Sequence, residues 1–304
     1  MSTFVLTLAF LAAQAAPEKP ILEGSWWRIA APPKLERFAT GNEQTVDFTI
    51  FAAADSTWQL ISCIRNTDHP GGKRLLFRWE SRNLTDADWT PKGIFLTSDA
   101  ALGHQEGVLQ APHVVREDGL YWLFFNSNGA RALTSNDGKS FEPAKTAAGS
   151  LKFFAMPRDV MVLDNRSRDG KWYAFYTDIV PGKYADRRNH TVSFRTAARL
   201  AGPWSEESTD LGVLSPPRPE YTFVYAESPF IHARNGWFYR FEQLNVFASQ
   251  DLTRWSGPPM AALSGKNVFE YLAPEIIEHQ GQTVLAAYKD HGKGGIFAVR
   301  LGWK

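Results

Sequence analysis

The feature that most constrains the fold is a pattern that recurs along the chain. Its clearest copy is Gln110-Ala111-Pro112-His113-Val114-Val115 followed by Asp118-Gly119-Leu120-Tyr121-Trp122. β-Branched and aromatic residues on both sides of Asp-Gly predict two strands joined by a tight hairpin turn. The same pattern returns as Ser228-Pro229-Phe230-Ile231 with Asn235-Gly236-Trp237-Phe238-Tyr239. It returns again as Ala273-Pro274-Glu275-Ile276-Ile277 with Gln280-Gly281-Gln282-Thr283-Val284. In all three copies the Gly follows the Pro by seven residues. Two looser copies start at Asp47-Phe48-Thr49-Ile50 and Asp159-Val160-Met161-Val162.

Aligned on Phe48, Pro112, Val160, Pro229 and Pro274, successive copies lie 64, 48, 69 and 45 residues apart. A repeat of about 40–50 residues holding four short strands is the signature of a propeller blade, and long loops account for the excess. The chain is therefore expected to be all-β, a five-bladed β-propeller with blades starting near 47, 111, 159, 228 and 273. Later turns repeat as well. Ser135-Asn136-Asp137-Gly138-Lys139-Ser140-Phe141 and Ser249-Gln250-Asp251-Leu252-Thr253-Arg254-Trp255 both run Ser-x-Asp, turn, aromatic. Asp86-Ala87-Asp88-Trp89 and Leu200-Ala201-Gly202-Pro203-Trp204 are variants. These read as turns between the third and fourth strands, with the aromatic packed between blades. The competing all-β reading, a sandwich or barrel, requires five ordered copies to have arisen by chance.

Composition sets further bounds. Of 304 residues, 44% are hydrophobic, and the 11 Trp and 21 Phe suit sheet-on-sheet packing. A net charge of +1 gives no electrostatic case for nucleic acid or an anionic membrane. Cys63 is alone, so no intrachain disulfide forms, and Leu60-Ile61-Ser62-Cys63-Ile64 reads as a buried strand. The apolar run Phe4 to Ala13, with Ala13-Gln14-Ala15 after it, reads as a signal peptide over residues 1–15. It is too short to span a bilayer. The remaining residues, 16–304, are expected to form one exported domain, secreted or periplasmic. Loop 66–74 reads as polar and exposed. Residues 16–35, with Trp26 and Trp27, either lead into the propeller, add a closing strand or place an aromatic beside the pocket.

In a propeller the first strand of every blade lines the central channel, and all run the same way. The residues opening those strands converge on one mouth: Asp47, Gln110-Ala111, Arg158-Asp159, Glu227-Ser228 and Leu272-Ala273. Three of the five carry a carboxylate. Two carboxylates facing across a sugar can act as acid and as base or nucleophile. A third nearby raises the proton donor's pKa by like-charge repulsion.

These residues resemble the motifs of the five-bladed propeller glycoside hydrolases, nearest to family 43 and more distantly to family 32. The resemblance rests on Asp47-Phe48, Pro157-Arg158-Asp159 and Ala226-Glu227-Ser228-Pro229-Phe230, and it covers residues 45 to 303. It implies Asp47 as general base or nucleophile, Asp159 as the third acid and Glu227 as proton donor. It further implies an oligosaccharide or polysaccharide substrate bearing arabinosyl- or xylosyl-type sugars, and no required cofactor. A channel Ca²⁺ would draw on His291. The sequence departs from the family pattern where Phe48 and Val160 replace the usual Pro. It also departs at Gln110-Ala111-Pro112-His113, which is similar to a proton-donor motif with Gln in place of Glu. Candidate substrate-binding residues are Arg158, His113, Gln110 and Trp27, with Trp26 and Trp79 as further stacking candidates. Arg158 could instead pair with a neighbouring carboxylate, and His113 could be a satisfied core histidine. Two alternatives stand beside the hydrolase. One is a non-catalytic carbohydrate-binding propeller. The other is a phosphorylase drawing on Arg158, Arg187 and Arg188.

Overall fold

A computed structural model describes residues 15–180, 189–214, 226–264 and 270–304. The leader segment, the pair Arg187-Arg188 and most of the Pro-rich stretch after Leu214 fall outside these residues.

Five four-stranded antiparallel sheets are arranged as the repeat predicts. The N-terminal strand β1 (Pro20–Ala30) stands apart from the first blade. Blade one holds β2 (Gln44–Ala52), β3 (Trp58–Arg65), β4 (Arg74–Ser81) and β5 (Thr90–Leu96). Blade two holds β6 (Gln110–Glu117), β7 (Leu120–Asn126), β8 (Ala130–Ser135) and β9 (Glu142–Pro143). Blade three holds β10 (Arg158–Asp164), β11 (Trp172–Val180), β12 (Asn189–Ala197) and β13 (Thr209–Asp210). Blade four holds β14 (Phe230–Arg234), β15 (Trp237–Glu242), β16 (Asn245–Ser249) and β17 (Ala261–Ala262). Blade five holds β18 (Tyr271–His279), β19 (Gln282–Lys289) and β20 (Gly295–Trp303), and its outer strand is β1. The N-terminal segment is thus the closing strand. It pairs Pro20 with Trp303 and Leu22 with Leu301, joining the two ends of the chain in one sheet. Closure removes the exposed edges that an open ring would present.

The seven-residue offset has a physical origin. The turns Asp118-Gly119, Asn235-Gly236 and Gln280-Gly281 each have positive φ at both residues. That is the type I′ geometry whose twist matches the flanking strands, and Gly takes the second position without a Cβ penalty. Pro112 and Pro274 stand near the mouth end of the same strand, and Pro229 directly precedes its strand.

Between blades the sheets meet through aromatic cores. Trp89, Trp204 and Leu252 are buried in three separate cores, and Trp255 packs partly buried in the same core as Leu252. The indole N–H of Trp89 donates to Asp86 O at 2.9 Å, that of Trp204 to Leu200 O at 3.1 Å, and that of Trp255 to Leu252 O at 2.8 Å. The repeated turn aromatic therefore fills the gap between blades and ties down its own turn. Trp79 is 1% exposed and belongs to the core between blades five and one.

Candidate active site

Each inner strand bends as it reaches the mouth. Asp47, Ala111, Asp159, Ser228 and Ala273 all have positive φ, between 36° and 60°. In four blades the pairing register slips at this point: Val46/Phe48, Gln110/His113, Arg158/Met161 and Leu272/Glu275. These are β-bulges, which re-aim side chains and end pairing. A non-Gly residue in the left-handed region costs about 1–2 kcal/mol. Five at one level persist only because the surroundings hold them. Ser62 Oγ donates to Val46 O at 2.8 Å, and Asn126 Nδ2 to Pro157 O at 2.7 Å. Thr177 Oγ1 accepts from Ser228 N at 2.9 Å, and Gln243 Oε1 from Ala273 N at 3.2 Å. Cys63 Sγ lies 3.2 Å from Leu109 O. Apart from Ser62, each of these side chains reaches from one blade to the bulge of the next.

Below the bulges a cavity of about 40 Å³ is lined by two or three successive residues from every inner strand. His113 and Glu275 face each other across this floor, with Nδ1 and Oε1 3.5 Å apart. His113 Nε2 lies 3.2 Å from Val162 O, and Glu275 Oε2 accepts from Ile50 N at 3.1 Å. Burial pushes the Glu275 carboxyl above its usual range, against the stabilising contact with His113. His113 therefore lines the channel and is also a satisfied buried histidine; it lies two residues below the rim residue Ala111.

Asp47 and Asp159 act on each other by charge, and Arg158 links Asp159 to Glu227. Asp159 and Glu227 are 4% and 7% exposed, and Asp47 is half-buried at the rim. Arg158 joins two of them: its Nε lies 3.1 Å from Asp159 Oδ2, and its guanidinium contacts the Glu227 carboxylate. His190 Nδ1 lies 4.0 Å from Glu227 Oε2. Burial, and then the charge of Asp159, raise the Asp47 carboxyl to about 6, although Arg158, Arg74 and Arg65 pull the other way. Burial also opposes the charge on Arg158, but Asp159 and Asp47 outweigh it and hold its pKa above the ordinary value. Tyr288, at the end of β19, is pushed up by burial and then by Asp47, so its hydroxyl stays neutral.

Other expected positions fall elsewhere. Gln110 is at the rim, where its amide oxygen accepts from Arg74. Residues 66–73 form the expected loop, much of it exposed, whereas Arg74 opens β4 at the mouth. Trp27 is not brought to the mouth. It lies on β1, the strand of blade five farthest from the channel, opposite Ala298, and packs between blades five and one. The backbone of β1 is needed there to close the ring, which fixes its side chains away from the inner strand. Trp26 stacks on Tyr271 with centroids 3.9 Å apart. His291 is exposed on the turn Asp290–Gly292, which packs against β2. Among the described residues no three His, Cys, Asp or Glu side chains come together in a way that could hold a metal. Cys63 is buried, and burial pushes its thiol up to about 12.

The rim residues that spacing did not single out are Arg65, Arg74, Tyr288 and His190. All stand at the ends of second or third strands.

No protein-family profile and no curated protein sequence matches the chain. Solved structures do. An endo-arabinase from Bacteroides thetaiotaomicron is similar, with TM-score 0.62 and 14% identity, over 87% of this chain and 96% of that one. The GH43_1 enzyme from Xanthomonas citri, solved with xylose, gives TM-score 0.59 and 15% identity, over 86% and 88%. A thermostable family-43 glycoside hydrolase gives 0.58 and 16%, over 86% and 90%. The chain therefore has the fold of the family-43 glycoside hydrolases, covering nearly the whole of each.

Proposed function

We propose that the protein is a glycoside hydrolase that cleaves arabinosyl- or xylosyl-type linkages at the mouth of the propeller. The observation that carries this is the cluster itself. Asp47, Asp159 and Glu227 come from three blades, lie at or one residue before the positive-φ rim positions, and leave one carboxyl poised near neutral pH. Clustering of like charges beside strained backbone is costly and persists where chemistry needs it. The fold likeness agrees, since structures of that fold include an endo-arabinase and an enzyme solved with xylotriose.

In this reading Glu227 donates a proton to the leaving oxygen and Asp47 acts on the opposite side, either by activating water or by attacking the sugar. Asp159 keeps the Asp47 carboxyl raised and holds Arg158. His113 and Glu275 brace the floor.

The test is release of reducing ends from arabino- and xylo-oligosaccharides by the wild type and by Asp47→Asn. Turnover by the wild type and at least a hundredfold loss in the variant are expected, the usual scale for an acid–base group. Sugar binding with no turnover in either protein would favour a binding propeller. Cleavage that requires phosphate would favour a phosphorylase.

A further inference from the structure

The rim of blade one carries an arrangement that the acid–base reading does not use. Arg65 closes β3 and Arg74 opens β4, and the two are direct cross-strand partners. Like charges placed opposite each other across a ladder are destabilising. Both side chains are half-buried, which deepens the cost. Among the described residues neither has a carboxylate within ion-pair range. Arg65 donates to the amide oxygen of Gln44, and Arg74 to that of Gln110. An amide orients a guanidinium without neutralising it. Gln110 directly precedes the bulge residue Ala111, so this pair faces the same mouth as Asp47, whose carboxyl both arginines influence.

Arg158 is engaged by Asp159 at 3.1 Å and by the Glu227 carboxylate. Among the described residues, the guanidinium groups at the mouth that have no carboxylate in ion-pair range are therefore those of blade one. Two guanidinium forks side by side match the flat, two-oxygen face of a carboxylate.

We infer that Arg65 and Arg74 form a subsite for an anion carried on the sugar, the carboxylate of a uronosyl residue, positioned by Gln44 and Gln110. This inference rests on the glycosidase reading of the mouth and names a substrate class for it. The same oxyanion chemistry could be met by free phosphate, which the experiment separates.

The experiment measures binding by calorimetry, so that no turnover is needed. Methyl β-D-xyloside and methyl β-D-glucuronoside differ only in the carboxylate on C5, and methyl β-D-glucoside controls for bulk. Inorganic phosphate is titrated separately. The proteins are wild type, Arg65→Gln, Arg74→Gln and Arg74→Lys. The wild type should bind the glucuronoside about ten- to a hundredfold more tightly than the xyloside, the scale of charge-assisted hydrogen bonds. Each Gln variant should erase that preference and leave xyloside binding unchanged, while Arg74→Lys retains part of it. The Gln variants should melt no lower than the wild type, because a like-charge pair is relieved, and this guards against misfolding. Equal affinity for the two glycosides, or a preference that survives both Gln variants, overturns the subsite. Arginine-dependent phosphate binding without a glucuronoside preference also overturns it, in favour of a free oxyanion. Hydrolysis of neutral oligosaccharides with no such preference sinks this inference alone. An intact preference with no hydrolysis of any glycoside sinks the glycosidase reading alone.

Discussion

Asp47→Asn should make the protein more stable near neutral pH, and by an amount that depends on pH. The folded carboxyl titrates at about 6, against an ordinary value of 3.8, with burial as the largest cause. The folded state therefore holds this proton more tightly than the unfolded chain. Stability linked to it is fully present below the unfolded value and is lost as pH rises from about 4 through 6. At 1.36 kcal/mol per unit, the ionised group costs the fold about 3 kcal/mol at pH 7–8 and about 0.5 kcal/mol at pH 4. Asn is the right probe because it is nearly isosteric and tolerates the left-handed backbone, φ 36°, found at this position. Urea midpoints and melting temperatures should be compared at pH 8 and pH 4. The variant should gain about 2–3 kcal/mol at pH 8, about 3–5 °C in Tm, with the gain shrinking toward zero at pH 4. A variant that loses stability at both pH values, or whose gain does not change with pH, would refute the claim that the wild-type carboxyl is held at a cost.

Further outcomes follow from the same geometry. If Asp47 acts as base, kcat/KM should rise with pH to a plateau, with its acid limb near 6, and that limb should move toward the ordinary carboxyl range in Asp159→Asn, where the repelling charge is gone. Cys63 should resist thiol reagents at pH 8 in the folded protein and react on denaturation, since burial raises its thiol to about 12; rapid labelling of the native chain would contradict its buried position. Trp204→Ala should cost about 3–5 kcal/mol by emptying the gap between blades two and three, where the ring packs against Phe124 and Phe154; an unchanged urea midpoint would contradict its role as an inter-blade wedge.

The propeller could be read from the chain because each blade repeats two local demands. One is a positive-φ turn, met by Gly119, Gly236 and Gly281. The other is a rim residue one position before Phe48, Pro112, Val160, Pro229 or Pro274. That alignment also placed Asp47 and Asp159 at the same bulge position and Glu227 one residue earlier. Glu275 was within reach too, since it follows Pro274 just as His113 follows Pro112, and the two meet in the channel. Trp27 was misplaced because an aromatic pair says nothing about which blade its strand will join; ring closure put β1 on the outside of blade five. Arg65 and Arg74 were not legible for a related reason. They lie on second and third strands, and their approach to the mouth depends on how far each blade fans outward, which no local pattern encodes.

The central claim is that the carboxylates at the mouth cleave a glycosidic bond, with Glu227 giving the proton. The most direct measurement compares wild type and Glu227→Gln on a natural xylo- or arabino-oligosaccharide and on the matching p-nitrophenyl glycoside. A phenolate leaving group needs little protonation, whereas a sugar alkoxide needs it fully. The account predicts a loss of about a thousandfold on the oligosaccharide and a much smaller loss on the aryl glycoside. Equal activity of the two proteins on the oligosaccharide would contradict it.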